Sequence, residues 1–183
     1  MKKAIIILVL SAVIAVLLAA CTGSPPTPST TTEPATEFPP NSITINNIVV
    51  SDEAEIEITD CPVYGDKNMP YVYGKLTKGD PFDYEIITII VVSGSYYGKK
   101  PYNNLPNTVI SGDSTFKAQF CSNDGMGADF NAEFIYLFMV PTGYKDGIEP
   151  DSSLGYIVPP EQIAALKKDS ICVVQINREI EIE

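Results

Sequence analysis

A chain of 183 residues with 12 basic and 23 acidic side chains, net charge −11, has room for one medium domain with appendages. That acidity opposes nucleic acid and anionic membrane surfaces, both of which need clustered Lys and Arg. Histidine is absent, which removes Ser–His–Asp and Cys–His catalysis and His-based zinc sites.

The first element is a leader. Lys2 and Lys3 precede an apolar run from Ala4 to Ala20 broken only by Ser11, a charged start followed by a hydrophobic stretch. A spanning helix needs roughly 17–25 apolar residues, so this run stands at the lower limit. No positively charged stop follows it. The quartet Leu18-Ala19-Ala20-Cys21 resembles the lipobox of prokaryotic membrane lipoproteins. The resemblance implies a signal peptide over residues 1–20, cleavage before Cys21, and a diacylglyceryl group on its thiol. Two or more acyl chains, at about 0.8 kcal/mol per buried methylene, hold such a protein firmly in the membrane, facing the extracytoplasmic side.

From Thr22 to Pro40, 14 of 19 residues are Ser, Thr or Pro. With little to bury, residues 21–41 are expected to form a disordered linker that spaces a folded domain, 42–183, from the bilayer.

Beyond Asn41 the apolar period is two. Ile43 and Ile45 alternate with polar residues, as do Ala54, Ile56 and Ile58 among Glu53, Glu55 and Glu57. Strands are predicted over 71–76, 84–92, 116–120, 134–140 and 172–176. The run "YEIITIIVV" is apolar in both parities, so it is expected to lie centrally, covered on both faces. Clusters of Gly, Pro, Asn and Asp separate these runs. One short helix is predicted in "PPEQIAALKK", with Ile163 and Leu166 on one face. The expected fold is an all-β, two-sheet β-sandwich with one short helix.

Several stretches carry a second resemblance: Tyr71 to Leu76, Tyr84 to Ile87, Lys100-Pro101-Tyr102, Ser114-Thr115-Phe116, Ala132 to Pro141, Gly143-Tyr144, and Val173 to Ile176 with Arg178. Together they resemble an Ig-like β-sandwich module found beside bacterial glycoside hydrolases and glycosyltransferases. Where that module often carries tryptophans ahead of its Lys-Pro-Tyr, this chain has Tyr96 and Tyr97. The resemblance implies an Ig-like fold and no particular binding residues.

Four cysteines are present. Cys172 shares parity with Val174 and Ile176 and is expected in the core. Cys61 and Cys121 each follow a strand end on the polar parity; outside the cytoplasm they are expected to form a disulfide, the alternative being that all three are reduced.

Two stretches are candidate sites. "GSYYGKKPYNNLP" offers Tyr96, Tyr97 and Tyr102 for stacking on a sugar ring, with Lys99, Lys100, Asn103 and Asn104 for its hydroxyls. The alternative is that these tyrosines form another strand and pack its rim. "NDGMGADFNAE" places Asp124, Asp129, Asn131 and Glu133 together, oxygen ligands suited to calcium but without EF-hand spacing, or an ordinary connection between strands. The alternating acids Glu53, Glu55, Glu57 and Glu179, Glu181, Glu183 are expected to be solvated faces of two strands that do not pair.

On sequence alone the expectation is a lipid-anchored, non-catalytic binding or spacer module without a cofactor, its ligand a glycan or an envelope protein. The alternatives are a purely structural or assembly subunit and a carboxylate-based polysaccharide-active enzyme, for whose acids no distinctive spacing is present.

Overall fold

The computed structural model describes residues 43–99, 107–121, 127–148 and 156–178. The leader, the linker and Cys21 lie outside the described residues, as do Glu179, Glu181 and Glu183. The strands are β1 (Thr44–Val49), β2 (Glu55–Asp60), β3 (Tyr71–Lys78), β4 (Tyr84–Val92), β5 (Ser95–Lys99), β6 (Thr108–Val109), β7 (Thr115–Gln119), β8 (Phe134–Pro141) and β9 (Cys172–Asn177). One α-helix, α1 (Pro160–Asp169), and a 3-10 turn at Ala128–Asn131 complete the set.

These strands build two antiparallel sheets packed face to face, an all-β sandwich. The larger runs β1-β9-β8-β4-β5, with β6 also on β4; the smaller runs β2-β3-β7. Most of the expected strand parities hold, but on β1 Ile45 is 47 % exposed and on β7 Gln119, on the polar parity, is buried. Ile86, Ile90, Ile135, Leu137, Met139, Cys172, Val174 and Ile176 face the small sheet's Ile56, Val72, Leu76, Phe116, Ala118 and Phe120 in one buried core.

The other parity of the large sheet builds a second core. Ile87, Ile89, Val91, Tyr136, Phe138, Val140 and Val173 are covered by Ile148, Val158 and, from α1, Ile163 and Leu166. The fold therefore has a third layer on one side, and β4 is buried on both faces as its unbroken apolar run requires. Pro160 opens α1 at its first position, where its missing N–H costs nothing. At the other end both the backbone N–H and the hydroxyl of Ser170 donate to Leu166 O, at 2.9 and 2.6 Å.

β5 arises from a two-residue hairpin. Val92 pairs with Ser95, and the intervening Ser93 and Gly94 have φ of 50° and 76°. Two successive positive φ values match the right-handed strand twist, and glycine meets the second at no steric cost. Ser93 N–H donates to Glu133 Oε1 at 3.2 Å, which helps hold the first.

At one end of the inner core lies Arg178, the chain's only arginine, fully buried. Its Nε donates to Pro62 O at 2.8 Å, and its terminal nitrogens donate to Val63 O at 2.6 Å, Phe130 O at 3.2 Å and Ala132 O at 3.5 Å. The guanidinium carbon lies 4.8 Å from the centre of the Phe120 ring. Burial lowers its pKa, an effect the nearby Cys61 and Cys121 oppose. One side chain thus joins the β2–β3 connection, the 3-10 turn and the residue that leaves β7.

Candidate functional site on the open face of the small sheet

Two of the tyrosines of the predicted recognition stretch, Tyr96 and Tyr97, do not form one surface. Tyr96 and Tyr97 are neighbours on β5, so they point to opposite faces of the large sheet: Tyr97 packs against the inner core and Tyr96 against the outer one. The backbone of β5 is covered as well. Gly98 N–H donates to Tyr156 O at 2.6 Å, and Val158 N–H to Tyr96 O at 3.0 Å. Lys99 is committed to Asp129 in a partly buried ion pair of 2.6 Å. These residues pack, as the alternative reading had it. Lys100, Tyr102, Asn103 and Asn104 lie outside the described residues.

The oxygen-ligand set is likewise dispersed. Asp129 holds Lys99, Glu133 accepts the Ser93 N–H, Asn131 is exposed, and Asp124 lies outside the described residues. Among the described residues no three Asp, Glu, Cys or His side chains gather as a metal site would need.

The cysteines also depart from expectation. Cys61, Cys121 and Cys172 form no disulfide, with Cys61 half-buried and Cys121 only 2 % exposed. The reason is the strand order. Cys61 and Cys121 leave β2 and β7, which flank β3 on either side. That places them roughly two strand spacings apart, about 9.5 Å, whereas a disulfide spans Cα atoms of about 4.4–6.8 Å. Burial pushes the Cys61 thiol up to about 11, although Arg178 pulls the other way.

The face that does gather recognition chemistry is the outer face of the small sheet, which no described element covers. On β3, Val72, Gly74 and Leu76 point into the core, leaving Tyr71, Tyr73, Lys75 and Thr77 outward. On β7, Phe116 and Ala118 point inward, leaving Thr115 and Lys117 outward. The Tyr71 and Tyr73 rings stand 6.3 Å apart, inclined at 58°. Lys117 Nζ lies 3.7 Å from the centre of the Tyr71 ring and 5.7 Å from that of Tyr73, within cation–π range of both. Beside them Lys75 and Glu57 form an exposed ion pair of 3.0 Å.

A hollow of about 370 Å³ opens on this face, lined by Thr59, Tyr73, Gly74, Ser111, Thr115, Phe116 and Lys117. Gly74 and Phe116, which line it, fit together closely. A Cβ there would lie 2.2 Å from Phe116 Cζ and 2.7 Å from Glu57 O, so only glycine lets the Phe116 ring pass beneath β3. Thr115 is fixed by Asp113, whose Oδ1 accepts its hydroxyl at 2.7 Å and its N–H at 3.0 Å. Those bonds, the hydroxyl first, hold the Asp113 carboxyl below the usual carboxylate range. With its proton turned to Asp113, the Thr115 oxygen keeps lone pairs for a donor in the hollow. The arrangement offers a ring to stack on, hydroxyls and one ammonium.

Sequence reasoning passed over these residues, although "YVY" carried the signal. Two tyrosines at i and i+2 of a strand share a face, and the buried Val72 between them shows that the face is outward. A second hollow, about 320 Å³, lies between the edges β1 and β2, lined by Ile45, Asn47, Glu55, Ile56, Glu57, Ile58, Thr77 and Val174. Both strands carry register shifts, in β1 between Asn47 and Val49 and in β2 on either side of Ile56–Ile58, which twist an edge away from accepting a further strand.

Comparison of the chain with protein-family models, curated proteins and solved structures finds no significant match.

Proposed function

We propose that this protein is a lipid-anchored, extracytoplasmic binding module that holds carbohydrate on the open face of its small sheet. The lipobox-like Leu18-Ala19-Ala20-Cys21 supports the anchor, and the Ser/Thr/Pro-rich stretch after it supports a stalk. The observation that carries the binding reading is the outward trio Tyr71, Tyr73 and Lys117 beside a hollow rimmed by Thr59, Ser111 and Thr115. A pyranose ring has an apolar face that stacks on tyrosine and an equatorial rim of hydroxyls, and this surface offers a complement to each. The lining contributes groups that recognise a sugar, so the reading is non-catalytic.

The test is a glycan array probed with the full chain and with Tyr73→Ala, Lys117→Ala and Tyr96→Ala. Binding that is lost in the first two and kept in the third is the expected result. Silence of the folded protein across the array favours a structural or assembly subunit, and sugar release from a polysaccharide panel favours an enzyme; either overturns the reading. The anchor is tested separately, by metabolic labelling with palmitate, which Cys21→Ser must abolish.

A further inference from the structure

A second surface, on a different part of the molecule, is built around Phe82. This ring is 72 % exposed, the most exposed of the large apolar side chains described. Single apolar residues at a surface are common and need no function. Phe82 differs in how firmly it is presented. Its own N–H donates to Asp80 Oδ1 at 3.0 Å, and its carbonyl accepts the Thr142 hydroxyl at 2.8 Å. The next residue is held too: Asp83 N–H donates to Asp80 O at 3.1 Å, and Asp83 O accepts Thr142 N–H at 2.8 Å. Four hydrogen bonds therefore clamp the β3–β4 turn on both sides of an apolar ring that faces water. Presenting a side chain on an ordered backbone removes much of the entropic cost of docking it, which is the property of an interface anchor.

The surroundings say what kind of pocket would take it. Asp80 and Asp83 flank the ring, and Glu53 joins them around Tyr84, whose phenol is pushed up by burial and then by Glu53, Asp83 and Asp80. Across the turn, a Cβ on Gly112 would lie 3.4 Å from Phe82 Cζ, so the ring leans toward the β6–β7 connection, where Asp113 adds a fourth carboxylate. Val109, 55 % exposed, stands on β6 opposite Glu85. Lys78 is the one basic residue on the chain from Leu76 to Tyr84. An aromatic knob inside a ring of acids is repelled by an anionic membrane and by a second copy of a chain of net charge −11. It is complementary to an apolar pocket rimmed by Lys and Arg.

The topology also places this knob far from Ile43, the first described residue. Tyr84 pairs with Pro141, and Val91 with Phe134; Phe134 in turn pairs with Asn177, and Asn177 with Thr44. Ile43, through which the N-terminal 42 residues join the fold, thus lies at the pole opposite Phe82, about 27 Å away along β4. We propose that the β3–β4 turn is a protein-docking tip, with Phe82 as its anchor and Asp80, Asp83, Glu53 and Asp113 as its charged rim, for a partner protein with an apolar, basic-rimmed pocket.

The test places the photo-reactive residue p-benzoylphenylalanine at position 82 of the full chain, and at position 73 as control, in the cell that makes the protein. Irradiation is expected to give a discrete protein adduct from position 82 that position 73 does not give. The cross-linked peptide should place Lys or Arg next to apolar residues. The adducted protein, purified, is then titrated with the unmodified chain. Phe82→Ser is expected to weaken binding at least thirtyfold and Asp80→Asn with Asp83→Lys at least tenfold, with thermal unfolding of the Phe82→Ser chain unchanged. Should the Asp80 change loosen the turn, Asp83→Lys alone keeps the charge test. Adducts only to lipid, to glycan or to a second copy overturn the proposal, as does the absence of a discrete adduct or a partner that binds Phe82→Ser as tightly.

Discussion

The two outer faces of the sandwich carry the same chemistry and put it to different uses. On the large sheet, Phe134, Tyr136 and Phe138 form a stripe joined by Tyr96, and Lys167 Nζ lies 5.3 Å from the centre of the Tyr136 ring. On the small sheet, Tyr71 and Tyr73 form a shorter stripe with Lys117 above it. Among the described residues only the first is roofed, by α1 and residues 156–158, leaving Tyr136 7 % exposed. Aromatic rings under a lysine are thus core where a helix covers them and an open surface, the one proposed to bind, where nothing described does. Residue type alone does not separate the two.

The comparison is broken most forcefully from the covered side. Phe138→Ala, at a fully buried position, is expected to cost about 3–5 kcal/mol in urea unfolding, while glycan binding by the folded fraction stays unchanged. Next comes the core that both sheets share, which Cys61 reports. With its thiol raised from 9.0 to about 11, its alkylation at neutral pH should run roughly a hundredfold slower than that of the unfolded chain. Folding raises this pKa, so its contribution to stability is fully present below pH 9 and is lost as pH climbs toward 11. Mass analysis of alkylated protein across that window, with reductant omitted, checks both the rate and the absence of a disulfide.

Changes beneath and upon the open face come lower in the scale. Gly74→Ala forces Phe116 aside and is expected to cost about 1–3 kcal/mol, with glycan binding weakened in step because the lining of the hollow shifts. Tyr73→Ala removes a half-buried ring on the open face, where its neighbours are Tyr71 and Lys117. It should change stability by less than about 1 kcal/mol yet weaken glycan binding at least tenfold, about 1.4 kcal/mol. Glu57→Gln, which breaks an exposed pair with side chains 47 % and 56 % exposed, should shift stability by no more than about 0.5 kcal/mol. If Glu57→Gln cost as much as Phe138→Ala, the contrast between the faces would be wrong.

Much of this fold was legible before any coordinates. Alternation in Ile56–Ile58, in Phe116–Phe120 and in Cys172–Ile176 gave strands and their buried sides, and the unbroken run of β4 announced cover on both faces. What the run did not announce was the cover itself. α1 was readable from Pro160 and the Ile163–Leu166 spacing, but its docking on Phe138 and Val140 is a tertiary fact without a local signal. β5 was present in the sequence as the alternative reading of the tyrosine-rich stretch, and Ser93-Gly94 between two β-forming runs marks the hairpin that makes it. The proposed site differs from the sequence-based candidate for a related reason: tyrosine density drew attention to Tyr96 and Tyr97, whereas adjacent residues on a strand face opposite ways. The disulfide expectation failed because strand order, which places β3 between β2 and β7, is not written in the cysteine spacing.

Arg178 has a consequence for how the molecule comes to exist. A ribosome delivers the chain from its N-terminus, so the carbonyls of Pro62, Val63, Phe130 and Ala132 are all made well before the one side chain that gathers them. Its partners lie 46 to 116 residues earlier in the chain, contacts of the kind whose loop-closure cost is met late. Helped by no other arginine, that pole of the core stays unlocked until residue 178, which follows every other described residue, has been made.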